Sequence, residues 1–243
     1  MDFAVVHPGE GLDNIIRRII TKKKPDVLFS SFVSINPDVI ETGESFGLYL
    51  VVRTDYKLND VSGLIKERIF KTYPLADLLI AQTEEMGEEL RAIDGVNPSR
   101  VRVLENPLDK EDILAKASAP NPFSQNGLFH FLWVGREDPI KDLDLLKKAF
   151  EFVHQENPQT DLTLLSNEEN PYKWIKNANC LVISSKSEAS PNVLREALLL
   201  GTPVVSTDCS PTVSELLSKD RIVPVGDCAK LAEAMKSIIR ERS

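Results

Sequence analysis

The chain has 243 residues, 42% of them apolar and 27% charged, an ordinary globular composition that excludes intrinsic disorder and fibrous structure. Lysine and arginine total 29 against 37 acidic residues, a net charge of −8, which argues against a general nucleic-acid binder. The length suits one large domain or two small ones, and no apolar run approaches the roughly 18 residues of a membrane span.

Met1 to Val6 has no basic flank and runs straight into a strand-like stretch, Phe3 to Val6, so it does not read as a signal peptide. A cytoplasmic location is expected. Cys180, Cys209 and Cys228 are odd in number, lack CxxC spacing and read as buried reduced thiols. His7, His130 and His154 are too scattered for a metal site.

Short apolar runs then alternate with amphipathic ones, the pattern of parallel sheets covered by helices. Residues 12 to 22 place Leu12, Ile15, Ile16, Ile19 and Ile20 at helical spacing. Strands are predicted at 27 to 29, 48 to 52, 78 to 81 and 101 to 104. Thr83, followed by Glu84 and Glu85, signals a helix start. The turn dipeptides Asn106-Pro107, Asn121-Pro122 and Asn126-Gly127 mark an interdomain stretch. The predicted organisation is a first domain over 1–109, a linker over 110–127 and a second domain over 128–243.

The second half restarts with 128 to 134, an apolar strand buried on both faces. A helix is predicted over 140 to 155, then strands at 162 to 165 and 181 to 184. A helix over 191 to 200 ends at Gly201, with strands at 203 to 206 and 221 to 223 and helices near 212 to 217 and 227 to 241 following. Two Rossmann-like halves of this kind bind ligands at the carboxyl ends of their strands. No GxGxxG, GxxxxGK[ST], HExxH or GxSxG occurs, which weighs against nicotinamide enzymes, P-loop NTPases, zincins and α/β-hydrolases.

Two segments carry candidate chemistry. In residues 184 to 197 a buried strand passes through a small polar loop into a helix with Pro191 in its first turn. Backbone N–H groups of the loop and the helix start converge there and make an anion site. Glu188 lies just outside it, and Glu196 lies roughly 7.5 Å further along the helix. A ligand with a diphosphate and two polyol ends would touch both; the alternative is a helix-start acid and a solvated surface acid. The other segment is Gly135-Arg136-Glu137-Asp138-Pro139-Ile140-Lys141-Asp142, at the carboxyl edge of strand 128 to 134. Arg136 and Lys141 reach a phosphate from there, unless they pair with Glu137, Asp138 and Asp142.

Together these segments resemble the GT-B glycosyltransferases, specifically the retaining family 4 type that uses nucleotide sugars. Gly135-Arg136 and Lys141 match its G-R-x4-K stretch, and Glu188 and Glu196 its E-x7-E motif. Glu196-Ala197 through Gly201 to Pro203-Val204-Val205 matches E-A-x3-G-x-P-V-V, and Val103 to Asp109 is similar to the link between its domains. The resemblance implies an α/β protein of GT-B architecture, two Rossmann-like parallel-sheet domains facing across a cleft, with the N-terminal domain truncated. It implies an enzyme that moves a sugar from a nucleotide diphosphate sugar to a glycan or lipid-linked glycan with retention of configuration, by a front-face route without a protein nucleophile.

By that resemblance Arg136 and Lys141 hold the donor diphosphate, with Glu188 near the transferred sugar. Ala189, Ser190, Pro191, Asn192 and Val193 cradle phosphate and sugar hydroxyls, and Glu196 accepts from the ribose. The catalytic candidates are Glu188, Arg136 and Lys141; the donor is a co-substrate, and no other cofactor and no metal are expected. The first strand and glycine-rich turn of the family are missing, and the stretch between 165 and 181 is compressed. Where many relatives carry a histidine after the third first-half strand, Arg53 and Asp55 are the acceptor-side candidates. These departures keep open a non-catalytic nucleotide-sugar binder or a partner subunit of a glycosyltransferase. Lipid-linked acceptors in the family make Arg17, Arg18, Lys22, Lys23 and Lys24 a candidate contact with the inner face of a membrane; the alternative is cation placement at a helix C-terminus.

Overall fold

The computed structural model describes residues 11–123 and 127–242; the strand expected at Phe3 to Val6 and Asn126 of the Asn126-Gly127 turn lie outside them. The chain divides into two compact units between Glu105 and Asn106.

The first unit runs α1 (Leu12–Lys23), β1 (Val27–Ser30), α2 (Asn36–Glu44), β2 (Tyr49–Arg53), α3 (Gly63–Thr72), β3 (Leu78–Ala81), α4 (Glu84–Arg91) and β4 (Val101–Val103). Its four strands pair in parallel in the order β1-β2-β3-β4. Thr83 caps α4 as expected, its hydroxyl accepting from Met86 N at 3.3 Å. Helices α2 and α3 have no strong signal in the sequence. Pro37, Thr42 and Gly43 are poor helix formers, and packing compensates: Val39, Ile40 and Ile69 are buried, and Arg68 ties α3 to Asp38 and Glu41 of α2. Fully buried Asn36 joins the strand ends. Its Oδ1 accepts from Ser30 Oγ at 2.5 Å, and its Nδ2 donates to the Arg53 carbonyl and the Tyr73 hydroxyl at 3.2 and 3.0 Å. Burial pushes the Tyr73 phenol up to about 12, so it stays protonated.

The second unit contains α5 (Lys110–Ala117), β5 (Phe129–Val134), α6 (Leu143–Glu156), β6 (Thr160–Leu165), α7 (Tyr172–Asn177), β7 (Cys180–Ile183), α8 (Asn192–Leu199), β8 (Val204–Thr207), α9 (Pro211–Leu216), β9 (Ile222–Val223) and α10 (Cys228–Arg242). Five parallel strands pair in the order β6-β5-β7-β8-β9. Strand β5 lies between β6 and β7 and is buried on both faces. Phe131 and Trp133 join Leu146, Val153, Leu231 and Met235 on one side, and Leu132 joins Ile175, Leu181 and Leu194 on the other. Phe131→Ala is expected to cost about 3–5 kcal/mol of unfolding free energy in a urea titration, the lost transfer term plus a cavity with no exit to solvent.

Residues 110–117 do not form the expected linker. Asp109 caps α5, its Oδ1 accepting from Asp112 N at 3.0 Å, and Ile113 and Ala117 are buried. The helix is fastened to the α7 region, with Asn170 Nδ2 donating to the Lys116 carbonyl at 3.0 Å and Lys116 Nζ standing 6.0 Å from the Tyr172 ring centroid. Prolines and asparagines bound this helix without extending through it, so composition alone gave the wrong reading. A fragment of residues 106–243 is expected to melt cooperatively, whereas one starting at Phe123, stripped of α5, melts several degrees lower as Ile113 and Ala117 vacate their site.

Candidate functional site

The site is built where β5 and β7 end. Gly135 continues from β5 with its N–H donating to the Leu165 carbonyl at 3.0 Å. Asp138 then caps a short 3₁₀ turn, Pro139–Lys141, its Oδ1 accepting from Ile140 N at 2.9 Å. Asp142 adopts φ 48° and separates this turn from α6, so the helix expected from Ile140 starts three residues later. Asp138 is spent on the turn, and Asp142 lies 3.8 Å from Lys186 Nζ. Arg136 is exposed and forms no ion pair among the described residues. The surface pairing weighed for it does not occur.

The loop after β7 is stitched to that turn. Ser184 Oγ donates to the Lys141 carbonyl and Lys186 N to the Ile140 carbonyl, both at 2.7 Å. The side chains meet as well. Lys141 Nζ pairs with Glu188 Oε1 across 47 positions of sequence, and Ser185 Oγ donates to the same oxygen at 2.7 Å. Lys141 and Glu188 are mostly enclosed, their side chains 22% and 15% exposed. Glu188 N donates to the Cys209 carbonyl at 2.9 Å. The Glu188 charge and burial push the Cys209 thiol up to about 11, burial being the larger cause, so that thiol is no nucleophile at neutral pH.

Helix α8 opens at Asn192, with Pro191 as its cap rather than in its first turn. Its first N–H groups have no acceptor inside the helix. Ser210 Oγ donates to the Ala189 carbonyl at 3.0 Å, Ser190 is buried, and Asn106 Nδ2 donates to Asn192 Oδ1 at 2.7 Å. The far end closes as expected. Gly201, at φ 74°, donates to the Leu198 carbonyl and Thr202 N to the Ala197 carbonyl, a Schellman ending that the left-handed glycine permits. Glu196, in the second turn, is partly buried. Burial raises its carboxyl above the usual range, and a hydrogen bond from the Tyr172 hydroxyl opposes that rise. Burial, and then the Glu196 charge, raise the Tyr172 phenol in turn.

The acceptor-side candidates lie in the first unit. Asp55 Oδ1 accepts from Val33 N at 2.7 Å and closes the β1–α2 turn, and Arg53 contributes its carbonyl to Asn36. Both therefore have local structural duties. In the basic run, Arg17 donates to Ser45 Oγ and stands over the Phe46 ring, while Lys22 and Lys23 occupy the last turn of α1 and Lys24 caps it. Cations in such positions interact favourably with the C-terminal end of the helix dipole. Among the described residues no helix is long and apolar enough to cross a membrane. Cys180 and Cys209 are buried as expected, but Cys228 is only half-buried.

Sequence reasoning missed Ser185, Tyr172 and Asn106. Ser185 stands three residues before Glu188, a readable signal; Tyr172 and Asn106 lie far in sequence from the residues they touch.

Comparison with known proteins finds a family match within the second unit. Residues 129–241 match the family model of the glycosyl transferases group 1. An uncharacterized glycosyltransferase of Methanocaldococcus jannaschii is 26% identical over 83% of this chain and 60% of its own length. The N-acetylgalactosamine-N,N'-diacetylbacillosaminyl-diphospho-undecaprenol 4-alpha-N-acetylgalactosaminyltransferase of Campylobacter jejuni is 24% identical over 76% of this chain and 57% of its own. The chain thus spans about three fifths of the length of these curated relatives. In fold it resembles Anabaena HepE crystallised with UDP and glucose, at a TM-score of 0.78 and 16% identity over 94% of this chain and 72% of that one. It also resembles a Burkholderia multivorans trehalose 6-phosphate synthase, at 0.76 and 11% over 93% and 68%. The fold is the GT-B type that the motifs resemble.

Proposed function

With residues 129–241 matching the glycosyl transferases group 1, we propose that this protein transfers a sugar from a nucleoside diphosphate sugar to a glycan or lipid-linked glycan, with retention of configuration. The observation that carries the reading is the meeting of Lys141 and Glu188 between the ends of β5 and β7. Two motifs that resemble separate halves of a donor site converge on one oxygen atom.

The chemistry follows from charge. As the bond between sugar and diphosphate breaks, negative charge accumulates on the departing phosphate. Arg136, which forms no ion pair among the described residues, and Lys141 stabilise that charge, together with the first N–H groups of α8. In the free protein Glu188 neutralises Lys141; a diphosphate outcompetes one carboxylate for the ammonium, and the exchange leaves Glu188 available to hydroxyls of the transferred sugar. Glu196 takes the ribose hydroxyls. The Campylobacter relative is named for a diphospho-undecaprenol acceptor, which favours a lipid-linked acceptor here and a peripheral membrane contact through the α1 lysines.

The test is turnover. The protein is incubated with UDP-, GDP- and ADP-sugars and a panel of glycan and lipid-linked acceptors, and released nucleoside diphosphate is measured by chromatography, with the product anomer read by NMR. Acceptor-dependent release with the donor's anomeric configuration supports the proposal. Tight donor binding without release under any acceptor would instead identify a non-catalytic nucleotide-sugar binder or partner subunit.

A further inference from the structure

We propose that Ser185 is a positioning residue that keeps Glu188 aimed at the transferred sugar after Lys141 turns to the diphosphate, an inference that rests on the donor-site reading above. The geometry at the carboxylate is asymmetric. Oε1 receives both Lys141 Nζ and Ser185 Oγ, whereas no donor among the described residues reaches Oε2. Two donors on one oxygen fix the carboxylate plane and leave the other oxygen as the acceptor offered to a ligand.

The two donors differ in what happens next. A lysine ammonium sits on a long flexible stem and is the group that a diphosphate draws away. Ser185 cannot follow: it is 2% exposed and has a single side-chain torsion. Its carbonyl accepts from Thr207 Oγ1 at 2.6 Å, and the Glu188 N–H is held by the Cys209 carbonyl at 2.9 Å. Both backbones are pinned to the end of β8 without help from the serine hydroxyl. Once Lys141 leaves, that hydroxyl is the one donor that remains on Oε1 among the described residues. Its charge-assisted bond then decides whether Oε2 faces the sugar or the carboxylate rotates.

The test uses the whole chain. Ser185→Ala is expected to lower kcat by about ten- to a hundredfold with the donor KM within about twofold of the parent, since the bond acts on the reacting sugar and not on uniform donor binding. Ser185→Cys, close in shape but a weak donor, shows the same loss without a void. The decisive comparison is made in a Glu188→Ala background, where Ser185→Ala changes kcat by less than about twofold because the acceptor it positions is gone. Unchanged kcat in both serine variants, or an equal loss with and without Glu188, overturns the inference in favour of a merely structural hydroxyl. Should Glu188→Gln itself leave kcat untouched, the donor-site reading fails, and this inference with it.

Discussion

Lys141→Ala and Arg136→Ala are each expected to lower turnover by on the order of 10²–10³, the effect of removing one preorganised stabiliser of developing charge. The two substitutions act on the same departing diphosphate, so the double variant loses less than the product of the single losses. Both proteins remain folded. Arg136 is exposed and has no ionic partner among the described residues, and the main chain of Lys141 is held by Ser184, while Glu188 keeps the Ser185 hydroxyl once the ammonium is removed. Steady-state kinetics with the preferred donor, beside a thermal melt of each variant, gives the result. Near-parental turnover by Arg136→Ala would return that residue to the solvated surface. Near-parental turnover by Lys141→Ala would reduce its pair with Glu188 to a loop clasp.

The second large effect separates the two glutamates. On the proposed reading Glu188 touches the reacting end of the ligand, so Glu188→Gln is expected to lower kcat. On the same reading Glu196 faces the ribose, which does not react, so Glu196→Gln is expected to raise the donor KM by about 1.5–3 kcal/mol in binding terms and to leave kcat nearly unchanged. Glu196 adds a pH signature. Its folded-state carboxyl is raised by burial, and ribose recognition needs the ionised form. The parental donor KM therefore rises as pH falls through that raised range, and Glu196→Gln flattens this dependence. The stability sign is the reverse. A raised carboxyl favours folding at low pH, and that contribution is lost as pH rises through its folded value. Glu196→Gln, which removes the desolvated charge, should therefore be no less stable than the parent at pH 7. A kcat loss confined to Glu196 would mean that the ligand runs the other way along α8.

The second unit was legible in the sequence because its signals are local. Strand β5 announces itself as an apolar run, and Gly201 ends α8 through a left-handed turn that few other residues adopt. The spacing of Arg136, Lys141 and Glu188 places them in the loops that follow β5 and β7, and Glu196 in the second turn of α8. What the sequence did not carry is what depends on distant partners. Helix α5 has a weak apolar face and exists because Ile113 and Ala117 find a site in the second unit. Helix α2, with Pro37 and Gly43, is held by burial and by Arg68. Asp55 was a reasonable acceptor-side candidate by position alone, yet its carboxylate oxygen serves the Val33 amide 22 residues away. The pair between Lys141 and Glu188 follows the same rule: the motifs named both residues, and only the fold showed that they touch.

The central claim is that one donor site lies at the ends of β5 and β7 and the start of α8. Calorimetric titration of UDP-, GDP- and ADP-sugars into the whole protein tests it most directly, repeated with Lys141→Ala and Glu196→Gln. The account predicts one nucleoside diphosphate sugar bound per chain, with affinity reduced in both variants and the melting temperature unchanged. Absence of binding by all three donor classes, or binding that neither substitution weakens, would contradict it.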